Sequence, residues 1–193
     1  MSSNTINHTS QSDFVFNPKK FILWLIIVAS VMLFAGFTSA YIVRRGEGNW
    51  ELFKLPTSFI YSTLVIALSS VSMQASVIAA KKGNSSRASR MLWLTLGLGL
   101  VFCVLQYLGW KQLIADNVYF AFSNPSNSFV YVITGVHLAH VIGGLIFLLI
   151  ISIQSLKKLQ NNGLHIYHSM CNTYWHFIGI LWIYLYFFLY LNR

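Results

Sequence analysis

Five apolar runs divide this chain, at about residues 21–43, 57–80, 91–114, 128–155 and 170–191. Each is long enough to cross a hydrocarbon core of ~30 Å, which takes ~20 helical residues. The runs hold one charged side chain between them, Lys111, near the end of the third, where a long aliphatic stem can carry the ammonium to the interface. The fold class this dictates is all-α: an integral membrane bundle of five transmembrane helices over residues 18–193. Only 9% of the 193 residues are charged, against about 25% in a soluble domain. Little remains outside the bilayer, so no separate soluble catalytic domain is expected.

The segments between the runs fix the expected topology. Residues 1–17 are rich in Ser, Asn and Thr and read as a disordered cytoplasmic tail. The first run is longer than a signal-peptide core and lacks a convincing cleavage site, so it should remain as an anchor. Pro18, Pro56 and Pro125 each precede a run, where a missing N–H costs nothing. Gly83-Asn84 and Asn161-Asn162-Gly163 supply turn chemistry. The net charge of +9 does not indicate nucleic acid, because the basic residues stand at the ends of the runs. With the N-terminus inside, Lys19, Lys20, Lys81, Lys82, Arg87, Arg90, Lys157 and Lys158 are cytoplasmic. Arg44, Arg45, Lys54, Lys111 and Arg193 are then outside, with Glu47, Glu51 and Asp116. That excess favours N-in and C-out. Trp24, Trp93 and Trp110 fall near run ends, as an aromatic belt at the headgroups requires. Cys103 and Cys171 lie at different depths and read as separate buried thiols.

Pumps and ion-coupled transporters place carboxylates or cations along their path, and apart from Lys111 at the outer end of the third none lies inside these runs. Nor is there a pair of carboxylates for acid–base work or a nucleophile with a neighbouring base. The chain alone is a poor enzyme. Its notable polar residues are histidines. His137 and His140 share a face of the fourth run, and His176 lies early in the fifth. Run centres put His140 and His176 roughly 10 Å apart in depth, which disfavours a shared metal or haem. Buried imidazoles hydrogen-bonding across helices, or to lipid or a neighbouring subunit, are the expected role. His165 and His168 fall in the inner loop, either as plain solvated residues or as a proton-collecting surface. Small residues recur every four positions at Gly135/Ala139/Gly143, Ser72/Ser76/Ala80 and Gly36/Ala40. Such stripes let helices approach closely in lipid.

The run Thr134-Gly135-Val136-His137-Leu138-Ala139-His140-Val141-Ile142-Gly143, followed by Tyr174-Trp175-His176-Phe177 and Trp182, resembles the strongest local signature of cytochrome c oxidase subunit III. The resemblance runs from about Val31 to the C-terminus. It implies a non-catalytic subunit of a bacterial haem–copper terminal oxidase, in the short five-helix form, in the inner membrane. Its partners would be subunit I directly, subunit II, small subunits and membrane phospholipids, with a respiratory supercomplex as a further setting. Haems and copper would reside in the partner subunits, with no cofactor or metal in this chain. The motif residues would make structural, lipid or subunit contacts.

Departures from the family pattern fall on acids. Ser30 stands where S-E-V has Glu, Gly109 where L-Q-x-x-E has Glu, and Gly179 where many members have Asp after W-H-F. Scaffold residues match while ionisable ones do not, which fits a stabilising subunit better than a proton conductor. Quinol oxidase subunit III and the accessory protein of nitric oxide reductase are alternatives within the family. An independent transporter or a membrane haem protein is the alternative of another class.

Overall fold

The computed structural model describes residues 18–48, 54–120, 125–156 and 164–192. The polar tail, the Asn161–Gly163 turn and the basic pair Lys157-Lys158 lie outside them. Within them the secondary structure is helical without a strand: α1 Pro18–Gly46, α2 Thr57–Lys81, α3 Ser85–Ala115, α4 Pro125–Leu156 and α5 Leu164–Asn192. Each contains a stretch long and apolar enough to cross a membrane.

The helices outrun the apolar segments, because the bilayer limits hydrophobicity and not helix length. Pro18 and Pro125 are first residues and Pro56 is the cap before α2. Gly83 turns the chain at φ 74°, a conformation only glycine adopts without strain. Asn84 then accepts a hydrogen bond from the Arg87 amide at 3.1 Å and opens α3, six residues ahead of the apolar run.

Side-chain pairs fix the arrangement. The helices alternate in direction, so α1, α3 and α5 begin at one end, here the N-face, and finish at the other, the C-face. α2, α3, α4 and α5 form a closed ring by packing in the pairs α2–α3, α3–α4, α4–α5 and α5–α2. α1 lies outside the ring in the groove between α4 and α5. Phe59, Ile66, Met73, Phe102, Ile133, Leu148, Trp175, Ile178 and Trp182 fill the ring and are almost wholly buried. Large apolar side chains also cover the exterior, with Met32 70% and Val71 68% exposed. A soluble protein could not tolerate that surface; hydrocarbon is its solvent.

Hydroxyls join α2 to α3 at short range. Gln106 Nε2 donates to Ser62 Oγ at 2.9 Å, Ser72 pairs with Thr95 at 2.8 Å, and Ser76 donates to the Ala88 carbonyl at 2.9 Å. The serine stripe of α2 is thus internal. The stripes on α1 and α4 are not. A Cβ at Gly36 or Gly143 would meet nothing within 4 Å, and one at Gly135 would only touch Trp110 at 4.0 Å. The tightest glycine contacts are elsewhere, at Gly99, Gly109, Gly144 and Gly179.

Candidate functional site

Part of the signature, around His137 and Trp182, forms one buried layer of the bundle. Antiparallel packing of α4 on α5 sets His137 beside Trp182 and Gly144 beside Trp175. His137 is fully buried, with its ring centroid 5.1 Å from Trp182, 6.0 Å from Phe102 and 6.2 Å from Phe34. Neither of its ring nitrogens has a hydrogen-bond partner among the described residues. Burying a polar group that way is costly, so the site's aromatic walls hold the imidazole by contact and not by bonding.

The tryptophans are tied down from the opposite side. Trp182 Nε1–H donates to Thr63 Oγ1 at 3.0 Å and Trp175 Nε1–H to Ser69 Oγ at 2.8 Å. Both acceptors come from α2, so each indole ties α5 to its neighbour in the ring. Trp175 fits only because glycine faces it twice. A Cβ at Gly99 would stand 2.8 Å from its Cη2, and one at Gly144 3.3 Å from its Cζ3. Thr134 Oγ1 accepts from Trp110 Nε1 at 3.0 Å, which clamps α3 to α4 near the C-face. Trp110 is therefore a packing residue as well, half-buried near the C-face. Trp24 and Trp93 remain exposed, at 56% and 38%.

The other histidines point elsewhere. His140 Nδ1 bonds to the Val136 carbonyl of its own helix at 2.8 Å, and its ring lies 5.5 Å from Phe34. Tyr174 Oη donates to the His140 carbonyl at 3.4 Å. His176 Nε2 bonds to Gln74 Oε1 at 3.3 Å on the α2 side of α5. From the register of the His137–Trp182 pair, His140 and His176 differ in depth by only about 4.5 Å, less than the run centres implied. What separates them is direction: one faces α1, the other α2. Phe177 packs against Tyr174 at 6.5 Å, on the rim of the core. No group of three or more His, Cys, Asp or Glu converges among the described residues.

The expected inner loop is the start of α5. His165 and His168 are both helical. His168 is buried, and its Nε2 bonds to Ser76 Oγ at 3.2 Å. Contacts at the N-face extend the helix past the apolar run, including Lys19, whose ammonium lies over the Tyr167 ring at 4.6 Å and bonds to its hydroxyl. A solvated loop at His168 is thereby corrected.

Sequence reasoning did not single out Gly99 or Phe102 as members of this layer. Nothing in their local sequence marks them; only the side chains of α4 and α5 that meet them do. Two buried tryptophans seven residues apart on α5 were the available signal, since each indole N–H requires an acceptor from another helix.

Fold and layer together define a membrane-spanning helical bundle built from interlocked aromatics, hydroxyls and glycines, with no Asp, Glu, Lys or Arg buried among the described residues. Comparison with known proteins makes this particular. The family model for cytochrome c oxidase subunit III matches residues 2–192. Cytochrome bo(3) ubiquinol oxidase subunit 3 of Buchnera aphidicola subsp. Schizaphis graminum is 32% identical over 185 residues, covering 91% of this chain and 95% of that protein. The probable cytochrome c oxidase subunit 3 of Nocardia farcinica is 30% identical over 167 residues, covering 84% and 81%. Cytochrome c oxidase subunit 3 of Bacillus sp. PS3 is 26% identical over 177 residues, covering 87% and 83%. The chain belongs to the cytochrome c oxidase subunit III family, and so to the haem–copper oxidases of respiration.

Proposed function

We propose that this chain is the five-helix subunit III of a bacterial cytochrome c oxidase, seated against subunit I in the inner membrane. The N-face is cytoplasmic and the C-face external. Subunit I reduces O₂ and pumps protons, and its haems and copper stay in the partner subunits. This chain stabilises subunit I and sustains proton uptake during turnover. The observation that carries the reading is the family match over residues 2–192, on a bundle whose interior supplies packing and no ionisable path.

Two features support it. The basic residues Lys19, Lys20, Lys81, Lys82, Arg87 and Arg90 all stand at the N-face, as cytoplasmic loops prefer. At the small-residue surfaces of Gly36 on α1 and Gly143 on α4 a Cβ would meet nothing within 4 Å among the described residues, and they suit close approach by a helix of subunit I. A quinol oxidase is the second reading, favoured by the match to the Buchnera quinol oxidase subunit over 95% of its length.

The test is oxygen uptake by the intact complex and by the complex gently depleted of this chain. Initial turnover should survive depletion, and the active lifetime should shorten. Immediate and complete loss, with haem content and subunit I intact, would overturn the non-catalytic assignment.

A further inference from the structure

Inside the ring, two side chains on facing helices leave polar atoms unpaired among the described residues. His137 on α4 has neither ring nitrogen bonded, and Gln106 on α3 has an unbonded amide oxygen. Both residues are almost wholly buried. The Trp110–Thr134 hydrogen bond fixes the register of these antiparallel helices. Gln106 lies one turn from Trp110, and His137 nearly one turn from Thr134, both toward the N-face. At 1.5 Å per residue, Gln106 and His137 differ in depth by only about 1.5 Å. His137 also meets the ring of Phe102, one turn beyond Gln106, with centroids 6.0 Å apart.

The orientation of the Gln106 amide is set by its neighbour. Ser62 Oγ gives its own proton to the Phe59 carbonyl at 2.9 Å, so toward Gln106 it can only accept. Gln106 therefore turns its NH₂ to Ser62, at 2.9 Å, and its oxygen away. An amide flip would set two acceptors against each other. The neighbouring polar groups are committed elsewhere. Trp110 Nε1 donates to Thr134 Oγ1, which donates to the Val130 carbonyl at 2.7 Å, and Trp182 Nε1 donates to Thr63. A neutral imidazole carries one N–H and one basic nitrogen. Gln106 Oε1 and that basic nitrogen are both acceptors, so they cannot satisfy each other directly.

We propose that His137 and Gln106 form a hydration site for one internal water. The water donates one O–H to Gln106 Oε1 and the other to the basic ring nitrogen of His137. Two donors on one small atom match two acceptors at one depth, and buried waters serve polar groups of this kind. The remaining ring N–H lies against the faces of the aromatic walls, which attract it weakly. A metal ion fits the site poorly, since no group of three or more His, Cys, Asp or Glu converges among the described residues. The bridge joins α3 to α4 one turn from the Trp110–Thr134 clamp and removes two costly buried orphans. The site needs only the four-helix ring and is independent of the oxidase assignment.

The test uses the full chain, purified in mild detergent with whatever subunits accompany it, and isotope-edited infrared spectroscopy of internal O–H stretches. The bridging water should give a band that moves to lower wavenumber in H₂¹⁸O. His137→Phe and Gln106→Leu should each abolish that same band, with circular dichroism showing that the helices persist. A second measurement needs no variant: NMR of the unaltered chain, labelled at histidine, should show magnetisation transfer from water to the His137 ring. Absence of either signal from the unaltered chain would overturn the proposal. A band that survives either substitution in a helical protein would overturn it as well.

Discussion

Gly109→Ala is the substitution the structure makes most quantitative. A Cβ at this position would stand 2.4 Å from Phe59 Cε1 and 2.8 Å from its Cδ1, well inside contact distance. The ring cannot swing aside freely. Phe59 is fully buried and packs edge-on against Trp182 at 5.6 Å. Trp182 is in turn wedged against Phe102 at 5.3 Å and bonded to Thr63. Overfilling a packed core costs about 1–3 kcal/mol, and replacing glycine by alanine in a helix returns up to about 1 kcal/mol. The net expectation is a loss of about 0–3 kcal/mol against the parent chain, and of about 1–3 kcal/mol against a glycine-to-alanine change that meets no clash. Gly97→Ala is the control on the same helix, since a Cβ there meets nothing within 4 Å. Denaturant unfolding of the purified chain in mixed micelles, followed by tryptophan fluorescence, reads the difference. Phe59→Leu in the Gly109→Ala background should recover part of the loss, with non-additivity that marks direct contact. If Gly109→Ala proves as stable as Gly97→Ala, the reasoning about this contact fails. The Phe59 ring fills the space into which a longer side chain at this position would project.

Gly143→Leu should leave the unfolding of the isolated chain unchanged, because the site is open, yet loosen retention of the chain by subunit I on native gels. Unchanged retention would remove the α4 surface from the interface. Carbodiimide should label no residue within the five helices, since these contain no Asp or Glu, and Glu47 and Asp116 lie beyond the ends of α1 and α3. Peptide mass spectrometry of the treated protein checks this, and a labelled helix peptide would contradict it.

Much of the fold was legible because the bilayer imposes a length. Five apolar runs became five helices, and the prolines marked three of their beginnings. Helix ends were less legible because caps and tertiary contacts set them. α5 begins at Leu164, six residues before its apolar run, where His168 meets Ser76. The direction of a small-residue stripe could not be read, because Gly135/Ala139/Gly143 has the same spacing whether it faces a neighbour or lipid. The internal glycines are identified by the partner that needs the room, as Trp175 needs Gly99 and Gly144. His137, His140 and His176 were located on the correct helices, but the separation of His140 from His176 was attributed to depth when it arises from facing α1 or α2. The role of Trp110 was only half legible for a related reason. Proximity to a helix end is visible in sequence, and its hydrogen bond to Thr134 on another helix is not.

The central claim is that this chain works as a subunit of a haem–copper oxidase. The most direct measurement is affinity isolation of the tagged full chain from native membranes in mild detergent, followed by mass spectrometry and an optical spectrum of what accompanies it. The account predicts oxidase subunits I and II in stoichiometric amount, haem absorption that tracks subunit I, and O₂ consumption by the isolated complex. A chain that emerges alone from intact membranes, or with partners that carry no haem and reduce no O₂, would contradict it.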